Sequence, residues 1–106
     1  MGAVPQLDNE QRRAAWAKAV AGRRERAEVR QALKQGRISL REVLDSNSEA
    51  VGKMPVRLLL EALPGIGKIR ARQLLEELRI APSRRVRGLG PHQRRRLLER
   101  RAPHSS

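Results

Sequence analysis

Two leucine-rich stretches of this chain are separated by Pro64-Gly65-Ile66-Gly67, and that tetrapeptide restricts the fold more than any other feature. Upstream, Val56, Leu59, Leu60 and Leu63 recur at helical spacing, and downstream Ile69, Leu74, Leu75 and Leu78 provide the apolar side chains. A proline followed by two glycines around one apolar residue stops a helix. The pattern therefore predicts two helices, about 55–63 and 68–78, folded back on each other through a tight turn. Pro55 is expected as the first helical residue, and Ile66 as the plug that pins the turn to the core. The apolar supply agrees: 14 Leu, 13 Ala, 7 Val and 4 Ile accompany a single aromatic, Trp16. Small, straight side chains with Arg, Glu and Gln favour helices over sheets. The expected class is all-α.

The remaining segments extend that reading. Asp8 with Gln11, and Ser39 with Glu42, have the spacing of capping boxes. The first opens a helix over Asn9–Gln35 that Gly36 stops. Val29, Ala32 and Leu33 give this helix a docking face at its C-terminal end, so its first half is expected to project or pack lightly, with Trp16 as a packing residue. A short helix runs through Leu40, Val43 and Leu44 until the polar stretch Asp45–Glu49. Gly52 and Lys53 then form a turn before Met54, which belongs to the core. Ile80 is expected to plug the core, and Ser83 to cap a short turn over 84–86. Pro91 opens the last helix, with Gln93 near its third position and Leu97 and Leu98 inward. At 106 residues this is one fold. Its parts are an N-terminal arm at 1–8, a long helix at 9–36, a helical domain at 37–101 and a frayed tail at 102–106. No internal repeat is visible.

Charge narrows the function. The chain carries a net +13, with +3 on residues 1–52 and +10 on residues 53–106. Twenty of the 24 basic residues are arginines, whose planar fork suits phosphate oxygens. A polyanion is the expected partner, with nucleic acid favoured over an anionic membrane surface. Without cysteine there is no disulfide framework, thiolate zinc site or cysteine nucleophile. No apolar run approaches the ~18 residues of a membrane span, and MGAVPQLDNE has neither a secretory pattern nor a full myristoylation signal. A soluble intracellular protein is expected. The only histidines are His92 and His104, no metal-ligand spacing occurs, and no Ser has a convincing base. Catalysis is therefore not expected, nor any cofactor or metal. With no Phe or Tyr, the stacking platforms of single-strand binders are missing too.

Two features look like sites. In the hairpin, Gly65 and Gly67 bring backbone N–H groups to the surface where the next helix begins, so its unpaired N–H groups and dipole face the same anion. Lys68, Arg70 and Arg72 add charge, turning an ordinary glycine turn into a phosphate clamp. The second feature is Ser83-Arg84-Arg85-Val86-Arg87-Gly88-Leu89-Gly90. Val86 and Leu89 anchor it, leaving Arg84, Arg85 and Arg87 on the outside of a compact elbow. Gly52 and Lys53 offer a further phosphate contact. Arg94, Arg95, Arg96, Arg100 and Arg101 add diffuse attraction along the last helix.

These residues resemble the actinobacterial type of integration host factor. The run VGKMPVRLLLEALPGIGKIRARQLLEELRIAPSRRVRGLG, residues 51–90, carries the likeness. The segments QRRAAW, AGRRERAEVRQALKQG and ISLREVL extend it over roughly residues 7–100. The resemblance implies an S13-like helix-two-turn-helix domain preceded by a long N-terminal helix. It also implies a monomeric, nucleoid-associated protein of the cytoplasm that binds double-stranded DNA with little sequence preference and bends or compacts it. A second duplex on another surface and a phage integrase complex are implied partners. Its contact residues map to Gly52, Lys53, Gly65, Gly67 and Lys68, and to the elbow of Arg84, Arg85 and Arg87; Arg70 and Arg94 join them on charge and position. Two departures stand out. The last helix ends LLERRAPHSS, where many relatives have an aromatic, and Pro55 replaces a more usual Lys. The competing reading is a ribosome-associated or structured-RNA-binding module of S13-like fold.

Overall fold

The computed structural model describes residues 8–101. The expected arm and tail lie outside these residues, except for Asp8. Six α-helices follow in order: α1 (Asn9–Lys34), α2 (Leu40–Leu44), α3 (Glu49–Gly52), α4 (Val56–Ala62), α5 (Gly67–Glu77) and α6 (Pro91–Arg101). A 3₁₀ turn, Val86–Gly88, precedes α6. Among the described residues there is no sheet, only an isolated antiparallel bridge between Pro55 and Arg85.

Helix ends are set by local hydrogen bonds that the residue types provide. Both capping boxes form: Gln11 N–H donates to Asp8 Oδ1 at 2.7 Å, and Glu42 N–H to Ser39 Oγ at 3.1 Å. Gly90 N–H donates to Gln93 Oε1 at 3.0 Å at the start of α6. At the end of α1, Gly36 takes φ 73° while Arg37 N–H reaches Ala32 O at 2.8 Å. The end of α5 repeats this arrangement with Arg79 at φ 57° and Ile80 N–H bonded to Leu75 O at 2.8 Å. That left-handed residue turns Ile80 into the core.

The core gathers Leu33 from α1, Val43 and Leu44 from α2, Val51 from α3, Leu59 and Leu60 from α4, Leu74 and Leu75 from α5, and Leu97 from α6. Met54 fills its centre, as expected. Each such leucine contributes about 1.5–3 kcal/mol by leaving water. Only the C-terminal part of α1 joins this core; its first half is largely exposed, with Lys18 reaching Glu49 of α3. The molecule is correspondingly elongated, 61 × 28 × 23 Å.

Several expectations are corrected. Pro55 caps α4 from outside, with extended backbone, and is not its first helical residue. Residues 49–52 are helical, because Ser48 accepts from Val51 N–H and donates to Glu25 on α1. The turn expected at 84–86 lies at Val86–Gly88 with Arg85, not Ser83, before it. Trp16 is 68% exposed and lies outside the core cluster; Arg23 lies over its ring at 5.6 Å. Ile69 is 78% exposed, because the inward register of α5 is Ala71, Leu74, Leu75 and Leu78.

Candidate nucleic-acid interface

The hairpin is built by backbone conformation. Leu63 leaves α4 with extended dihedrals, and Ile66 N–H donates back to Leu63 O at 3.2 Å. Gly65 and Gly67 then take φ 78° and 70°, a region costly for any residue with a Cβ. A Cβ at either position would meet nothing within 4 Å, so the glycines answer a dihedral requirement and not crowding. Among the described residues, the N–H groups of Gly65, Gly67 and Lys68 make no bond outside the helix. They sit where α5 begins, with Lys68 exposed beside them and, among the described residues, without an ion pair. Ile66 is half-buried against the core and anchors the turn.

The elbow is built by side chains and cross-links. Val86 N–H donates to Met54 O and Val56 N–H to Arg84 O, both at 2.9 Å, fastening the elbow to the start of α4. Arg85 Nη1 donates to Lys53 O at 2.7 Å, and Arg84 Nη1 to Gly88 O at 3.1 Å. Two of the three arginines thus shape the elbow. Arg87 is exposed and, among the described residues, makes neither a hydrogen bond nor an ion pair. Gly52 lies alongside, with its Cβ direction 3.5 Å from Arg87 Cβ.

The matching family model is that of the S13-like H2TH domain, over residues 33–101. The integration host factor of Mycobacterium tuberculosis is 55% identical over 100 residues, covering 92% of this chain and 95% of that one. The integration host factor of Streptomyces coelicolor is 56% identical over 93 residues, covering 86% and 87%. This chain belongs to the integration host factor family. A solved structure of sIHF bound to an 8-base-pair palindromic DNA superposes with a TM-score of 0.77 at 51% identity, covering 79% of this chain and 97% of that one.

In this chain most of the candidate residues fall into two clusters at opposite ends of α4. Gly65, Gly67 and Lys68 lie at its C-terminal end; Gly52, Lys53 and Arg84–Arg87 lie at its start. Seven residues of helix separate them, about 10 Å of axis. Lys53 is partly occupied: its ammonium meets Glu49 Oε1 at 3.1 Å, while Lys18 approaches Glu49 Oε2 at 3.5 Å. The Lys53 hydrogen bond and the charges of both lysines hold the Glu49 carboxyl below its ordinary range. Arg70 and Arg94 are drawn to other partners. Arg70 leans along α5 toward Glu77, 3.9 Å away, which also binds Arg100. Arg94 ties α6 to α2, donating to Leu44 O at 3.2 Å and pairing with Asp45. Sequence reasoning missed Glu49 as the restraint on Lys53, although its i,i+4 spacing was a readable signal. No cluster of three His, Cys, Asp or Glu placed to hold a metal occurs among the described residues.

Proposed function

We propose that this chain is a non-catalytic, nucleoid-associated architectural protein that binds duplex DNA with little sequence preference and bends or compacts it. The observation that carries this reading is the pair of clusters flanking α4 in a chain whose solved relative is bound to DNA. The unpaired N–H groups of Gly65 and Gly67, with Lys68, offer a seat for one phosphate. Arg87, unpaired on a rigid elbow, reaches a neighbouring phosphate or the minor groove. Contacts of this kind carry little sequence information, because the backbone is uniform and the minor groove distinguishes little beyond A·T from G·C. Deformability of the duplex then supplies mild preference. Assistance to a phage integrase, a second bound duplex, a monomeric state off DNA and a place on the nucleoid of the cytoplasm belong to the same proposal, on the strength of family likeness.

The test is fluorescence anisotropy with unrelated duplexes, a structured RNA and single-stranded DNA, each over a salt series. Similar affinity for all duplexes and a steep salt slope, about −0.9 per phosphate neutralised, are expected. Stronger binding of the RNA at salt that releases duplex DNA would overturn the proposal in favour of a ribosome-associated module, the reading suggested by the S13-like domain.

A further inference from the structure

Two grooves run between α1 and the rest of the domain and meet at Ala27 and Arg30. The first is bounded by the hairpin, residues 61–68, and the second by the Lys53–Pro55 segment with Arg85. From α1, Arg30 and Lys34 line the first groove, and Arg26 and Arg30 the second. Their i,i+4 spacing keeps them on one slowly winding flank, about 6 Å apart at each step and about 12 Å from end to end. Acidic residues in the grooves are already engaged. Glu25 accepts from Ser48, Glu49 meets Lys18 and Lys53, and Glu61 pairs with Arg57 at 2.8 Å. Arg26, Arg30 and Lys34 have no ion pair among the described residues. Gly22 adds a second observation. A glycine inside a helix is unfavourable by about 1 kcal/mol relative to Ala, and a Cβ there would stand 3.3 Å from Arg26 Nη1. The Arg26 guanidinium thus lies back over Gly22, which lines the same groove.

We propose that Arg26, Arg30 and Lys34 form a phosphate track on α1 that joins the hairpin cluster to the Lys53 cluster, so that one strand of the duplex runs between them. The inference rests on the duplex-binding reading and adds α1 to it as a wall of the same site. A track of about 12 Å spans three to four nucleotides at about 3.4 Å of axial rise each, enough for two to three phosphates.

Two variants test it. One is Arg26→Gln/Arg30→Gln/Lys34→Gln; the other, Arg12→Gln/Arg13→Gln/Arg24→Gln, removes the same charge from residues of α1 that line neither groove. Both are compared with the unaltered chain on a fluorescent 20-base-pair duplex over a salt series, with helix content and melting followed by circular dichroism. The track variant is expected to have a salt slope shallower by about 2–3, and the control a slope unchanged within about 0.5. Equal losses in both variants would mean diffuse attraction, and equal losses, a loss confined to the control, or no loss at all would each overturn the track. If the triple variant melts early because Arg26 is half-buried, Arg30→Gln/Lys34→Gln, exposed at both positions, is expected to lose about 1–2 units of slope. Failure of the unaltered chain to bind duplex with any salt dependence would instead remove the proposed function itself.

Discussion

In the proposed reading, the two ends of α4 meet an anion by opposite means. At the hairpin the backbone supplies the donors, and the side chains that matter are missing ones: Gly65 and Gly67 at positive φ with open space where a Cβ would stand. At the elbow the side chains supply the charge, and most of them are spent on shape: Arg85 on the Lys53 carbonyl, Arg84 on the Gly88 carbonyl. The hairpin is thus tolerant of side-chain chemistry and intolerant of backbone change. The elbow depends on its side chains as well as on the backbone bonds that fasten it to α4, and its three arginines are not equivalent. A residue count would rank the elbow first by charge; the geometry makes Arg87 its free hand.

The largest effect that separates the two regions is expected from Gly65→Ala/Gly67→Ala. Two alanines held near φ 70–78° cost about 1–2 kcal/mol each. The melting temperature should fall by about 10 °C or more, and duplex affinity by more than about tenfold as the donors shift. Circular dichroism melts and anisotropy at a temperature where the variant is still folded check both parts. A folded double variant with full affinity would remove the backbone N–H groups from the contact.

The elbow calls for a split. Arg87→Ala is expected to leave stability alone and make the salt slope shallower by about 0.9. Arg85→Ala should lower unfolding free energy by about 0.5–1 kcal/mol through the lost bond to the Lys53 carbonyl, read by urea titration, and affect DNA mainly through a looser elbow. Identical profiles for the two variants would show that the arginines act as one charge cloud.

A third comparison isolates backbone strain from DNA contact. Gly36 and Arg79 hold the same left-handed position at the ends of α1 and α5, and neither belongs to a candidate cluster. Gly36→Ala should destabilise by about 1 kcal/mol, and Arg79→Gly should stabilise by about 0.5–1 kcal/mol despite a more flexible unfolded chain. Gly36→Ala should leave duplex affinity unchanged at low temperature. If it weakened binding as much as the hairpin double variant, general destabilisation would explain both.

Features decided within a few residues were legible in the sequence. Both capping boxes, the glycine stop of α1 and the Gln93 bond at the start of α6 need only neighbours three or four positions away. The hairpin was legible for the same reason: proline and paired glycines leave one way to turn between two apolar helices. The departures come from tertiary choice. The four-residue helix α3 relies on Ser48 meeting Glu25 from α1, a contact that no local pattern announces. Ile69 counts among the apolar side chains of α5 in the sequence pattern, yet it is exposed, because the pairing of α4 with α5 makes Ala71 the buried residue. Among 20 arginines, the pattern gives no way to see that Arg94 would take Asp45 and Arg85 the Lys53 carbonyl. Those partners are far away in the chain, and they decide which charges remain for a ligand.

The smallest expected effect concerns the one cation of the elbow cluster that is half engaged. Glu49 is an exposed carboxylate held below its ordinary range by Lys53 first and Lys18 second. A lowered carboxyl pKa means that the ionised form is favoured in the fold. Its contribution to stability is therefore present above the ordinary glutamate range and is lost as pH falls through the lowered value. The consequence for binding has the opposite sign. While Glu49 is ionised it competes with phosphate for the Lys53 ammonium; once it is protonated, Lys53 is released. Glu49→Gln should then tighten duplex binding by about two- to threefold at neutral pH, the scale of an exposed ion pair. The advantage should shrink as acidification protonates Glu49 in the unaltered chain. Anisotropy of both proteins across that pH range reads the difference directly, with the other carboxylates common to both and cancelling. A Gln variant that binds no tighter at neutral pH would mean that Lys53 does not meet the duplex, and would leave Arg87 as the main charge at that end of α4.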